Sequence, residues 1–386
     1  MPADTRVPGI RFDRHELAGA FGDIGTDLPL IVGLIAFCGL DPAGVCTVFG
    51  LLQIATGILY RIPMPVQPLK AMATIMLAER HSPGTLAAGG LVIGAAMLVL
   101  AATGMLDWIA RVVPRAVVRG IQLGLGLTLA RLALSDYAGA DGAPGYVVAG
   151  LAVVTLLLLR RQHRVPGPLV VIGLGGLYAL ATGLGSHAWS EVAGLRLPRF
   201  AWPATEEFAR GAVLLALPQL ALSLGNSVLA TSQATRDLFP ERAVGVRRIG
   251  FTYALMNLVG PPFGGLPACH GCGGLAGFHG FGARTGGAPI LYGALYVVLG
   301  LFLAPGFATV VRLFPLPILG TVLLFEAVAL MSLVGDVAAD RDQLWVALLV
   351  GAAVIGLPNG YVVGLLAGTL LDHASRRGWL RFRERA

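Results

Sequence analysis

The residues of this chain that can do chemistry are few, and they gather at four places. Lys70 is the single lysine against 27 arginines, and Gln67 stands three positions before it in Ile62-Pro-Met-Pro-Val-Gln-Pro-Leu-Lys-Ala. An ammonium can neutralise a bound anion, and an amide can donate to an oxyanion without adding charge. Asp23 and Asp27 are four apart, on one face where that stretch is helical. A carboxylate cannot welcome an anion, so these two are coupling or gating candidates that bind a proton or pair with Lys70; otherwise they cap broken backbone. Gln219, Ser223, Asn226 and Ser227 follow at spacings of four, three and one, so three of the four share a helical face. Their neutral donors and acceptors suit a small polar ligand, or hydrogen bonds between helices. Cys269-His270-Gly271-Cys272-Gly273-Gly274 matches C-x-x-C, but with no second cysteine pair and no βαβ context it is a weak redox or zinc signal. The thiols are better read as small residues lining a site, and His270 either donates to an anion or caps a helix. Glu326 reads as a packing or interface residue rather than a site. No metal and no cofactor is expected.

The elements that must position these residues are membrane helices. Hydrophobic residues make up 56% of the 386 and charged residues 13%, against about 25% charged in soluble domains. This is a polytopic membrane protein. The N-terminus carries no apolar core followed by a cleavage site, so no signal peptide is expected. Four cysteines are too few for a disulfide scaffold. The net charge of +7 comes from arginine and points to orientation in a bilayer, not to nucleic acid.

Along the chain, Glu16–Leu40 forms a first span with a polar, irregular centre at Gly22–Pro29, and Ala43–Tyr60 a second. Pro63, Pro65 and Pro68 then forbid a continuous helix. A helix starting near Val66 to Pro68 and ending by Glu79 falls short of the roughly 20 residues a span needs. The third element is therefore an extended piece followed by a half-helix. Spans follow at about Thr85–Leu106, Ala116–Leu134, Gly145–Leu159 and Pro168–Leu184. After a polar connector with Trp189, Trp202, Glu206 and Glu207, a second series runs through Gly211–Thr231, Val246–Val259, a broken Phe263–Phe281, Ala288–Leu303, Leu316–Val334, Leu344–Leu357 and Tyr361–Leu371. In Phe263–Ala276, six of fourteen residues are glycine or proline. Broken backbone at membrane depth is tolerated only where protein or a water-filled cavity satisfies it.

Seven elements and seven make two inverted repeats. Pro65 precedes Pro114 by 49 residues, and Pro267 precedes Pro315 by 48. Broken segments at corresponding places of two halves point to a transporter's site. The division expected is a cytoplasmic tail 1–15, a first repeat 16–185, a connector 186–210, a second repeat 211–371 and a basic cytoplasmic tail 372–386. With both termini in the cytoplasm, 21 arginines fall inside and five outside, the five being Arg80, Arg196, Arg199, Arg210 and Arg312, with Arg131 assigned to a span. That bias supports the count, since one miscounted span would invert every later loop. Two half-helices meeting near the midplane would face each other with their N-termini, each presenting unpaired N–H groups and about half a positive charge. That is an anion site.

FGDIGTDLPL near the start, IPMPVQPLKAMA, and FGGLPACHGCGGLAGFHGFGARTGG resemble the molybdate transporter family within the sulfate permease (SulP) superfamily. The resemblance covers essentially the whole chain. It implies an all-α polytopic fold of fourteen transmembrane elements in inverted seven-element repeats, arranged as a core and a gate domain. The oxyanion would bind between the first, third, eighth and tenth elements. Carried onto this sequence, it favours Gln67, Lys70 and the Cys269, His270, Gly271, Cys272, Gly273 turn. Asp23, Asp27, Gln219 and Asn226 are neighbours, and Ser227 follows Asn226 on the eighth element. The STAS domain that ends a typical sulfate permease is not expected, and His279 departs from the family pattern.

The expected function is secondary transport of molybdate, with tungstate or sulfate next, by alternating access. The expected setting is the plasma or inner membrane, with a proton or cation as co-transported partner and a homodimer as the assembly. A nucleobase permease of uracil or xanthine type is the nearest alternative. Such a permease holds its base by a carboxylate, and the predicted eighth and tenth elements contain none. A passive anion channel is the alternative from another class, and a membrane redox enzyme using Cys269 and Cys272 is a distant third.

Overall fold

The protein is described by a computed structural model over residues 9–106, 108, 114–159, 166–182, 193–307, 314–377 and 379. Of the features counted above, Trp189, Arg6, Arg111, Arg160, Arg161, Arg164, Arg312, Arg381, Arg383 and Arg385 lie outside the described residues.

The chain enters through α1 (Arg14–Ala20), whose first N–H groups are capped by Asp13. It then bends by 46° into α2 (Ile24–Cys38). The break is shorter than the sequence suggests. Only Phe21–Asp23 separates the helices, and Pro29 lies inside α2. A proline removes one N–H from a helix, and neighbouring elements at membrane depth can satisfy the freed carbonyl. Helix α3 (Pro42–Tyr60) starts with Asp41 as cap and Pro42 in the first turn, where a missing N–H costs nothing.

The third element follows the proposed plan. A short strand β1 (Gln67–Pro68) leads into α4 (Lys70–Glu79), which stops at Arg80 in the left-handed conformation. The helix begins at Lys70, two residues beyond Pro68, because Gln67 and Pro68 are paired across the molecule. Then come α5 (Pro83–Thr103), α6 (Arg115–Leu132, continuing as a π turn to Tyr137), α7 (Ala143–Leu159) and α8 (Gly167–Thr182).

In the second half, α9 runs from Thr205 to Leu238 as one long helix, with π turns at Gly211–Ala216 and Ser223–Ala230. It is followed by α10 (Val246–Val259), the strand β2 (Ala268–Cys269) and α11 (Cys272–Gly280). The rest is α12 (Gly287–Phe302), α13 (Leu316–Ser332), α14 (Arg341–Gly356) and α15 (Gly360–Arg376). Among the described residues α3, α5, α6 with its π turn, α9 and α13 extended to Val337 are each long and apolar enough to cross a membrane, and the bent pair α1–α2 is long and apolar enough only when taken together. Helices α7, α8 and α12 are apolar but shorter.

Packing sorts the helices into two groups. Helix α12 lies along α3, α10 along α5, and α1 against α12 and α11. Helix α6 packs on α13, α14 and α15, while α13 also covers α7 and α8. The groups meet where α13 crosses α2, where α4 meets α6, and where α9 touches α6 and α15. Charged side chains tie the helix ends together. Arg242 donates to the carbonyls of Arg61 and Arg284, Arg248 donates to that of Leu59, and Arg115 and Arg119 both hold Asp336. Arg80 sits by Asp136 in the π turn that ends α6.

Candidate functional site

The two extended segments meet in the protein interior. β1 and β2 pair antiparallel, Gln67 against Cys269 and Pro68 against Ala268, and Leu69 N–H donates to Pro267 C=O at 2.9 Å. Each segment is held by an amide from the preceding helix. Gln53 on α3 donates to Val66 C=O at 2.8 Å and accepts from Val66 N–H at 3.2 Å. Asn257 on α10 donates to Ala268 C=O at 2.6 Å and accepts from Ala268 N–H at 3.0 Å. Both amides are fully buried. Strand backbone with only one paired neighbour leaves polar groups open, and these side chains supply what a wider sheet would.

The half-helices start at this junction. No side chain caps α11, whose first turn opens at Gly271 and Cys272. The start of α4 is covered by Gln219, whose Oε1 accepts from Ala71 N–H at 2.9 Å and Met72 N–H at 3.3 Å. Gln219 is itself oriented by Ser223, which accepts from its Nε2 and shares a 2.7 Å hydrogen bond with Tyr253. Gln219, Ser223, Asn226 and Ser227 of this helix therefore divide. Gln219, Asn226 and Ser227 face a narrow cleft, and Ser223 serves Gln219. The π turn over Ser223–Ala230 changes the phase of the helix there, a distortion frequent at functional sites.

The cleft is lined by Gln67, Lys70, Gln122, Leu125, Gln219, Leu222, Asn226, Ser227, Cys269 and Leu330. Six of the residues singled out in the sequence thus come together. His270, Gly271, Cys272 and Gly273 are not among its lining. The ring of His270 ties the halves together, with Nδ1 2.8 Å from Pro65 C=O and Nε2 2.8 Å from Thr252 Oγ1. A carbonyl only accepts, so Nδ1 carries the hydrogen and Nε2 accepts from Thr252. Cys272 Sγ donates to Asn226 Oδ1 at 3.3 Å, which turns the Asn226 amide nitrogen the other way. Gly271 is required by close approach, since a Cβ there would run into Gln67 Oε1. The four cysteines are free thiols, and no group of three or more His, Cys, Asp or Glu is arranged for a metal among the described residues.

The carboxylates stand behind the cleft in unequal positions. Asp23 accepts from Gln67 Nε2 with both oxygens, at 2.8 and 2.6 Å, so the amide that could donate to an anion is anchored on a carboxylate. Asp27 is 0% exposed, and among the described residues neither of its oxygens has a hydrogen-bond partner of ordinary geometry, with the Tyr292 hydroxyl a side-chain donor beside it. The ion pair that the sequence offered between Lys70 and Asp23 or Asp27 is made elsewhere: Lys70 Nζ donates to Glu326 Oε1. Glu326 had read as a packing residue because it stands in an apolar span far along the chain. The bend of α2 and the crossing of α13 bring it to Lys70.

Sequence reasoning missed Gln122 on α6. Its Oε1 accepts from Arg119 Nη1 at 2.8 Å, so its NH2 points away from Arg119. It missed Gln53 and Asn257 as well. All three are lone amides inside apolar helices, and that is the signal that was there to be used.

The chain matches, over residues 15–129 and 211–330, the family described as molybdate transporters of the MFS superfamily. It is 30% identical to molybdate transporter 2 and 31% identical to molybdate transporter 1 of Arabidopsis thaliana. These alignments cover 92% of this chain and 86% and 87% of those proteins. Molybdate transporter 1 of Chlamydomonas reinhardtii is 30% identical over 91% of this chain and 90% of its own length. Among solved structures, the transmembrane domain of the cyanobacterial bicarbonate transporter BicA superposes with a TM-score of 0.66 at 15% identity, over 94% of this chain and 98% of that one. The murine Slc26a9 anion transporter in its inward-facing state gives 0.68 at 12% identity, over 98% and 70%. These likenesses establish the fold as that of the SulP/SLC26 transporters. With sequence relatives along nearly its whole length, the chain is an integral membrane transporter, not an enzyme, and belongs to the molybdate transporter family.

Proposed function

We propose that this protein is a secondary transporter carrying molybdate across the membrane by alternating access. The oxyanion binds in the cleft between the starts of α4 and α11. The observation that carries this reading is the convergence of Lys70, Gln67, Gln219, Asn226, Ser227 and Cys269 from three distant stretches onto one cleft beside an uncapped helix start. Helix N-termini favour anions, and amides and hydroxyls replace hydration without fixing a charge. No carboxylate is among the lining residues, which favours an oxyanion over a nucleobase. In the same proposal the chain forms fourteen elements in two inverted repeats, with α1–α5 and α9–α12 as core, α6–α8 and α13–α15 as gate, and both termini cytoplasmic. Asp27, buried one turn from Asp23 and without a hydrogen bond of ordinary geometry among the described residues, is the candidate to carry a coupling proton.

The test is binding to purified protein with molybdate, tungstate and sulfate in competition, followed by counterflow in liposomes. Molybdate should bind and drive saturable counterflow, and Lys70→Ala and Gln67→Ala should each weaken binding. Binding of uracil or xanthine in place of every oxyanion would overturn the assignment. Flux without counterflow would make the protein a channel.

A further inference from the structure

We propose that Glu326 is a built-in competitor for the transported oxyanion. Its carboxylate holds Lys70 when no anion is bound, and the arriving anion displaces it, which frees α13 from α2 and α4. The inference rests on the cleft at Lys70 being the oxyanion site.

Among the described residues Glu326 makes two side-chain hydrogen bonds, and both cross between the packing groups. Its Oε1 accepts from Lys70 Nζ on α4. Its Oε2 accepts from Thr26 Oγ1 on α2 at 3.2 Å. One carboxylate on α13 therefore ties down both the half-helix that opens the cleft and the bent first span. Leu330, one turn further along α13, lines the cleft, so Glu326 stands at its edge. The side chains of Lys70 and Glu326 are 19% and 15% exposed. Both are largely buried, but neither is fully sealed.

The chemistry makes the two ligands exclusive. A tetrahedral oxyanion and a carboxylate present the same kind of oxygen to an ammonium. Lys70 is the only lysine, and it cannot neutralise a dianion and a carboxylate at once. In a partly desolvated cleft the two anions repel strongly. A ligand shifts a conformational equilibrium only through contacts that differ between the states. Here the difference is explicit, because the structure contains the Glu326 contacts and an anion on Lys70 excludes them. The same carboxylate, returning to Lys70, would help expel the anion.

The experiment is equilibrium binding of molybdate to purified protein, and initial-rate uptake into liposomes, for the wild type, Glu326→Gln and Thr26→Val. Glutamine keeps the shape and removes the competing charge. Valine keeps the shape of Thr26 and removes the hydroxyl that donates to Glu326. Glu326→Gln should bind molybdate about tenfold tighter or more, with a lower maximal uptake rate. Thr26→Val should shift both quantities the same way and by less. Tighter binding with slower turnover is not what a damaged fold gives. If Glu326→Gln does not fold, Thr26→Val decides alone. Unchanged or weaker binding in the folded variants, with molybdate bound normally by the wild type, overturns the competitor. A wild type that binds no oxyanion overturns the site itself.

Discussion

Replacing Asn257 by leucine tests whether the site is built by side chains that stand in for missing sheet neighbours. Asn257 satisfies both backbone groups of Ala268, at 2.6 and 3.0 Å, and Ala268 is fully buried. Leucine keeps the branched four-heavy-atom skeleton, so no cavity is opened. What is lost is the partner of one N–H and one C=O. A buried polar group left without its partner costs about 1–3 kcal/mol, so the two together cost about 2–6 kcal/mol. The low end is expected, because Cys269 next door lines the cleft and water there can take up part of the loss. At about 1.4 kcal/mol per factor of ten, the low end corresponds to roughly a 30-fold rise in the population with β2 released. The assay is hydrogen exchange by mass spectrometry on peptides spanning residues 266–270, in detergent, with molybdate binding on the same sample. Exchange there should accelerate by at least that factor while the long helices keep their protection, and binding should weaken. Unchanged exchange at 266–270 in a folded variant would refute the clamp.

Other outcomes follow from the same geometry. Gly271→Ala should lower stability by about 1–3 kcal/mol, as overpacking does, and weaken molybdate binding. Its Cβ meets Gln67 Oε1, and Gln67 cannot yield because both oxygens of Asp23 hold its nitrogen; thermal unfolding and binding read the two effects. Gln122→Leu should weaken molybdate binding roughly three- to tenfold, the worth of one hydrogen bond, without changing unfolding temperature much. Cys272→Ser should leave transport nearly intact, since a hydroxyl can also donate to Asn226 Oδ1; abolished transport would revive a redox role for the thiols. Glu16→Ala should destabilise the start of α12, because its carboxylate accepts from the N–H groups of Arg284, Thr285 and Ala288 at 2.9–3.1 Å. Limited proteolysis at residues 280–290 would report it.

The sequence determined by itself the features that follow from local chemistry. Proline at positions 63, 65 and 68 and glycine around 271–274 rule out continuous helices, so two short helices preceded by extended chain were legible before any coordinates. Apolar length marked the long helices, and Lys70 and Gln67 identified themselves as scarce polar groups in an apolar setting. Tertiary structure decided the partnerships. Lys70 had candidate carboxylates 47 and 43 positions earlier in Asp23 and Asp27, but it pairs with Glu326, 256 positions later. His270, adjacent to the site in sequence, turns its ring to Pro65 and Thr252. Gln53, Asn257 and Gln122 drew no assignment from the sequence, because nothing local says which group an amide will meet. The π turn in α9 rotates Asn226 and Ser227 relative to Gln219, which an ideal helical period does not foresee. The physical reason is common to these cases. Helix breaking and hydropathy are properties of short windows, whereas a hydrogen bond across the interior depends on the bend of α2, the crossing of α13 and the register of β1 on β2.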